Sequence, residues 1–170
     1  MQLNWEDLAR QVGSLSADGE LGERGGTHFA ELALERILGE AVIRDTVAHI
    51  LEYEPGSELA MNVLQHITSW VATEIAYQEY KSSTGERAAR AAWLIRHIAH
   101  PQSVEWIREF LLDDNVATLG MALPDQLLWS QRIEPDTVED LLRLAEGHPI
   151  PNVREQVAGV RGYLAEWAKQ

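Results

Sequence analysis

His97 and His100 sit three residues apart near the end of one helical stretch, a spacing that places two imidazoles on one face. Two ligands do not make a zinc site, which needs at least three protein ligands. Neither a His-Glu-x-x-His pattern nor a Glu-x-x-His pair occurs, so no metal is expected and His100 reads as a capping or helix-dipole residue. Asp45 and His49, four apart, have the spacing of an acid–base pair in which a carboxylate orients an imidazole, and equally that of an ordinary surface pair. No Gly-x-Ser-x-Gly surrounds any serine. The five glycines between Gly13 and Gly26 lack the spacing and the lysine of a phosphate-binding loop. Without cysteine there is no disulfide, thiolate metal site or cysteine nucleophile. The expectation is a chain with no catalytic residue, no cofactor and no metal.

Charge points elsewhere. The 170 residues carry 14 Lys+Arg against 27 Asp+Glu, a net charge of −13. The imbalance is uneven, with 4 basic and 14 acidic residues in positions 1–80 against 10 and 13 in positions 81–170. Nucleic-acid binding draws on Lys and Arg to neutralise phosphates, so this balance argues against it and favours a basic protein partner. An acidic surface also serves solubility alone. Within the acidic half, Tyr77 and Tyr80 are three apart and flanked by Glu74 and Glu79, a combination of aromatic area and negative charge suited to a contact surface. Glu31, Glu35 and Glu58 join them as candidate partner-binding carboxylates. Trp70, Trp93, Trp106, Trp129 and Trp167 fall on apolar helix faces and read mainly as core.

The elements that must position these residues are helices throughout. Apolar residues recur at three- and four-residue spacing and alternation is lacking, which predicts an all-α fold of about ten helices. The first helix is predicted over about Asn4–Val12, followed by the Gly-rich loop Gly13–Gly26, so that residues 1–26 form an N-terminal helix and loop and residues 27–170 the main domain. A second helix spans about His28–Leu38 with Thr27 as N-cap and Gly39 as its end. The third runs over Glu40–Tyr53 and stops before Pro55-Gly56, after which Ser57 is the expected N-cap of a fourth, Glu58–Ile67. A fifth covers Ser69–Lys81. Ser83 and Glu86 have capping-box spacing ahead of a sixth, Gly85–Ala99. The seventh covers Ser103–Leu112. An eighth, capped by Asp113-Asp114-Asn115, runs toward Ser130 with Pro124 expected to kink or split it and Gly120 leaving room for the ring. Two more follow, from Pro135 to about Gly147 and over about Val153–Lys169. Charged residues interrupt every apolar stretch before membrane-spanning length, and the acidic N-terminus is unlike a secretory signal, so a cytoplasmic protein without membrane contact is expected.

Helix restarts at Ser57, Ser83, Asp114 and Asn152 come at intervals of 26, 31 and 38 residues, the rhythm of stacked helix hairpins and hence of an α-solenoid. Phe110–Val116 and His148–Arg154 resemble the turn between the two helices of HEAT-type repeats, with its turn Asp and its Val-Arg opening the second helix. The stretch from Phe29 to Leu164 also resembles bacterial HEAT-repeat proteins of unassigned function, through Pro55–Ala60, Tyr80–Ser83, Asp125–Ser130 and Glu139–Leu142. The resemblance implies HEAT-like antiparallel helix pairs, a ladder rung between Asp114 and Arg154, and a surface that holds other macromolecules. Some bacterial repeat proteins of this kind are immunity partners of toxins. The reading is therefore a non-catalytic module that occludes a basic toxin or effector, as a monomer or weak homodimer. A constitutive scaffold subunit is the alternative, followed by a HEAT-like enzyme of bilin lyase or DNA glycosylase type.

Overall fold

A computed structural model describes residues 3–16, 24–129 and 135–167. Every regular element among the described residues is helical. The chain divides into two compact units, Met1–Ala72 and Thr73–Gln170.

In the first unit, α1 (Trp5–Gln11) starts at Asn4, whose side chain accepts from the Asp7 amide at 3.2 Å. Helix α2 (Thr27–Leu51) joins the two helices expected on either side of Gly39, which breaks the helical path at φ 77°, ψ 154°. Such a positive φ is adopted readily by glycine and rarely by residues with a Cβ. Beyond the break, Ile43, Val47, Ile50 and Leu51 face inward at the three- and four-residue spacing read from the sequence. A short turn leads to α3 (Ser57–His66), which buries Met61 and Leu64. Ser57 is the first helical residue rather than an accepting cap, and its Oγ donates to Glu54 O at 2.6 Å.

Helix α4 (Trp70–Ser82) begins in the first unit and runs into the second. The second unit continues with α5 (Gly85–Ile98), a 3₁₀ helix (Pro101–Trp106), α6 (Ile107–Leu112), α7 (Ala117–Trp129), α8 (Pro135–Glu146) and α9 (Pro151–Trp167). The expected seventh helix is thus a 3₁₀ turn followed by a short α-helix. The Ser83–Glu86 capping box is not formed. Thr84 occupies the N-cap, Ser83 Oγ donates back to Glu79 O at 2.5 Å, and Glu86 pairs with Arg90 one turn on.

Helix α7 continues through Pro124 as one element. A Cβ on Gly120 would meet Leu111 N at 3.0 Å and Phe110 C at 3.2 Å, so this glycine lets α7 lie directly on the α6 backbone. Phe110, Leu111, Leu123 and Leu127 fill that contact, each almost fully buried. Across α8 and α9, Arg161 reaches Glu146 at 2.5 Å and Glu139 at 3.3 Å. No helix among the described residues is long and apolar enough to cross a membrane.

Candidate functional site

Four of the seven residues expected at a partner surface are engaged inside the fold. Tyr80 is 7% exposed, stands edge-on to Phe110 at 5.0 Å and donates its hydroxyl to Asp113 Oδ2 at 2.9 Å. Tyr77 stacks on Trp106 with centroids 4.0 Å apart and donates to Glu109 Oε2 at 2.6 Å. Burial is the larger cause, and the carboxylate partner the second, that pushes the Tyr77 hydroxyl from 10.0 up to about 12; Tyr80 is raised further for the same reasons. Glu109 feels the opposite balance. Burial raises its pKa, but hydrogen bonds from Lys81 and Tyr77 outweigh that and hold it below the ordinary carboxylate value. These rings are ties from α4 to the 3₁₀ helix and α6, not free anchors.

The flanking acids divide in the same way. Glu79 pairs with Arg87 at 2.9 Å. Glu35 accepts from Ser69 Oγ at 2.5 Å and from the Val71 amide at 3.1 Å, while Ser69 Oγ accepts from the Ala72 amide at 3.0 Å. Glu35 and Ser69 therefore satisfy amides that the first turn of α4 leaves without helical partners. A carboxylate supplied from another helix is invisible to a local capping rule. The expected Asp114–Arg154 rung is also absent: Arg154 Nη1 donates to His148 O at 2.5 Å and Pro149 O at 2.9 Å, closing its own turn. His148, which the sequence did not single out, joins that turn to α6 through Nε2 and Leu111 O at 2.7 Å, and its Nδ1 accepts from the Ile150 amide.

The candidate metal and acid–base groups are not assembled into sites. His49 forms no ion pair with Asp45, and its Nε2 donates to Pro55 O at 3.1 Å. His97 lies edge-on to Trp93 at 4.1 Å, with Arg96 Nη1 3.4 Å from its Nε2. Burial first, and the Arg96 charge second, lower its pKa. His100 caps the 3₁₀ helix, with Nδ1 accepting from the Gln102 amide at 3.3 Å. No group of three or more metal-ligating side chains occurs among the described residues. Trp70, Trp93 and Trp106 are half-buried rather than fully enclosed; the side chains of Trp129 and Trp167 lie outside the described set. In an open cleft of about 300 Å³ beside Tyr80, Lys81, Asp113 and Asn115, each oxygen of the two lining carboxylates already accepts a hydrogen bond from the protein. Asp113 Oδ1 accepts from the Asn115 amide and Oδ2 from Tyr80, while Glu109 holds Tyr77 and Lys81.

Three expected residues remain open to a partner. Glu58 and Glu74 are exposed and Glu31 is half-buried, and none of them forms an ion pair with another described residue. Asp45 and Glu54 are exposed in the same condition. Of the four basic residues in positions 1–80, Arg10 and Arg44 already pair with Glu6 and Glu40 one helical turn away. The first unit also carries exposed apolar side chains, with Leu59 at 71% and Val63 at 43% on α3. No family model, curated protein or solved structure matches the chain.

Proposed function

We propose that the protein is a non-catalytic protein-binding module of HEAT-like α-solenoid type, which holds a basic toxin or effector in the cytoplasm as an immunity-type partner. The observation that carries this reading is the set of carboxylates in the first unit that make neither an ion pair nor a hydrogen bond among the described residues: Glu31, Asp45, Glu54 and Glu58. A surplus of one sign on solvated side chains speeds encounter with the opposite sign and disfavours like-charged partners. Occlusion follows if those carboxylates engage Lys and Arg that the partner uses on its own substrate. Glu74 of α4, in the second unit, is a further exposed carboxylate with no ion pair among the described residues.

The repeat reading draws support from the ties within each unit. Glu35–Ser69, Tyr77–Glu109, Tyr80–Asp113 and Leu111–His148 join residues 34, 32, 33 and 37 positions apart, close to the later restart intervals. Recurrent ties at one such separation are what successive helix hairpins produce.

The test is a tagged pull-down from the native host at low and high salt, with the retained protein then purified and its activity measured with and without this chain. The expected result is one basic protein, lost at high salt and inhibited when bound. Retention that is indifferent to salt, or no retention at all, sinks the reading.

A further inference from the structure

We propose that the outer face of α3 is the docking surface, and that its occupant is an apolar strip flanked by Lys and Arg on a basic protein. The inference rests on the binding reading above and adds where the partner sits. Five α3 residues, Glu58, Leu59, Asn62, Val63 and His66, are exposed at positions that fall on one helical face. Leu59 and Val63 are one turn apart within it, at 71% and 43% exposure. A single exposed leucine needs no explanation, and Leu112 of α6, 75% exposed, is one. A stacked pair on a ten-residue helix is different, because the opposite face of that helix buries Met61 and Leu64 and already supplies its packing.

Rigidity is built into the approach to this face. The turn before α3 is held by His49 Nε2 on Pro55 O, by Ser57 Oγ on Glu54 O, and by backbone bonds from Glu54 N to His49 O and from Ser57 N to Glu54 O. Gly56 takes φ 94° to start the helix. Leu59 and Val63 are therefore displayed by a pre-formed element, which lowers the ordering cost of binding. Charge then selects the occupant. Glu58 precedes Leu59 on this face and Glu54 lies in the turn before the helix; both are exposed and have no ion pair among the described residues. A second copy of the chain brings another −13 against them, and nucleic acid and an anionic lipid surface are repelled in the same way. A basic protein gains both apolar burial on Leu59 and Val63 and neutralisation at Glu54 and Glu58.

The experiment places a photo-crosslinking phenylalanine derivative at Leu59, at Val63 and, separately, at Leu112 in the full chain expressed in its host. The crosslinked protein is identified, purified and titrated against wild type, Leu59→Ser, Val63→Ser and the Glu54→Gln/Glu58→Gln double variant, each checked for helix content. The expected result is one basic protein joined at positions 59 and 63 but not at 112. Leu59→Ser should weaken its affinity about tenfold or more, as loss of a central anchor does. The glutamine variant should slow association and flatten its salt dependence. Crosslinking of a second copy overturns the proposal, as does a serine variant that binds within about twofold of wild type. A basic partner joined only at Leu112 overturns this surface and leaves the binding reading standing. No adduct at any position, together with an empty salt-dependent pull-down, removes both.

Discussion

A Cβ on Gly120 would lie 3.0 Å from the backbone nitrogen of Leu111, so the closest approach of α6 and α7 is set by the absence of a side chain at one position. A glycine inside a helix normally costs about 1 kcal/mol relative to alanine, and replacing it is normally stabilising. Here the contact reverses that sign. The atoms facing the new methyl are backbone of Phe110 and Leu111, both almost fully buried, and have little freedom to move. Gly120→Ala should destabilise the protein by about 1–3 kcal/mol, the usual cost of overpacking. Gly159→Ala in α9, where nothing lies within 4 Å, should instead stabilise by up to about 1 kcal/mol. Urea denaturation of both variants checks the pair, and a stabilising Gly120→Ala contradicts the account.

Glu35 separates structure from binding among the acids of the first half. Glu35→Ala removes the acceptor of the Val71 amide and of Ser69 Oγ, and should cost about 0.5–2 kcal/mol, as loss of a capping side chain does. Glu35→Gln keeps a carbonyl oxygen there and should cost less. Because the carboxylate is turned to α4, neither change should weaken partner binding by more than about twofold, whereas charge reversal at the open Glu58 should weaken it clearly. Thermal melts with binding titrations on the same variants distinguish the two roles.

The tyrosine ties give a test at alkaline pH. Tyr77 ionises at about 12 when folded, and Tyr80 is raised as well, against 10.0 for a free tyrosine. Above pH 10 the unfolded chain loses phenolic protons that the folded chain keeps, so the contribution of these residues is intact below that pH and declines as pH rises toward 12. Tyrosinate absorbance should show two rings resisting ionisation until the fold opens. Tyr80→Phe keeps the packing on Phe110 but leaves Asp113 without that donor, at a cost of about 1–3 kcal/mol. The Tyr77→Phe/Tyr80→Phe double variant should lose most of the alkaline dependence, and an unchanged profile counts against the ties.

Helix periodicity carried through wherever local chemistry decides: the breaks at Gly39 and at Pro55-Gly56 fall where those residues require them. Tyr77 and Tyr80 show why the candidate surface was harder to read. Beside Glu74 and Glu79 in sequence they look like a patch, but Glu109 of α6 and Asp113 at its C-terminal end, some thirty residues on, claim both hydroxyls. Local pattern also missed Glu35, which caps α4 from a distance, and Gly120, whose role depends on a neighbouring helix. In each case a non-local partner outcompetes the local one. Glu58, by contrast, is legible from charge alone: it lies in the first turn of α3 and is exposed, where an acid complements the helix dipole while staying in water.

His97 predicts the response to acid. Its imidazole is half-buried against Trp93, and its Nε2 is placed to accept from Arg96 Nη1, an arrangement that needs the neutral ring. Burial and the Arg96 charge both lower its pKa from the ordinary 6.5. The unfolded chain therefore takes up this proton first as pH falls. The contribution of the neutral ring to stability is fully present above pH 6.5, erodes below it, and is gone once pH has fallen through the folded pKa. His97→Gln retains a hydrogen-bonding side chain without a titrating ring and should flatten this part of the pH–stability curve. The measurement is urea denaturation from pH 7.5 to 5 on wild type and His97→Gln. Parallel curves for the two proteins would show that some other group governs the acid limb.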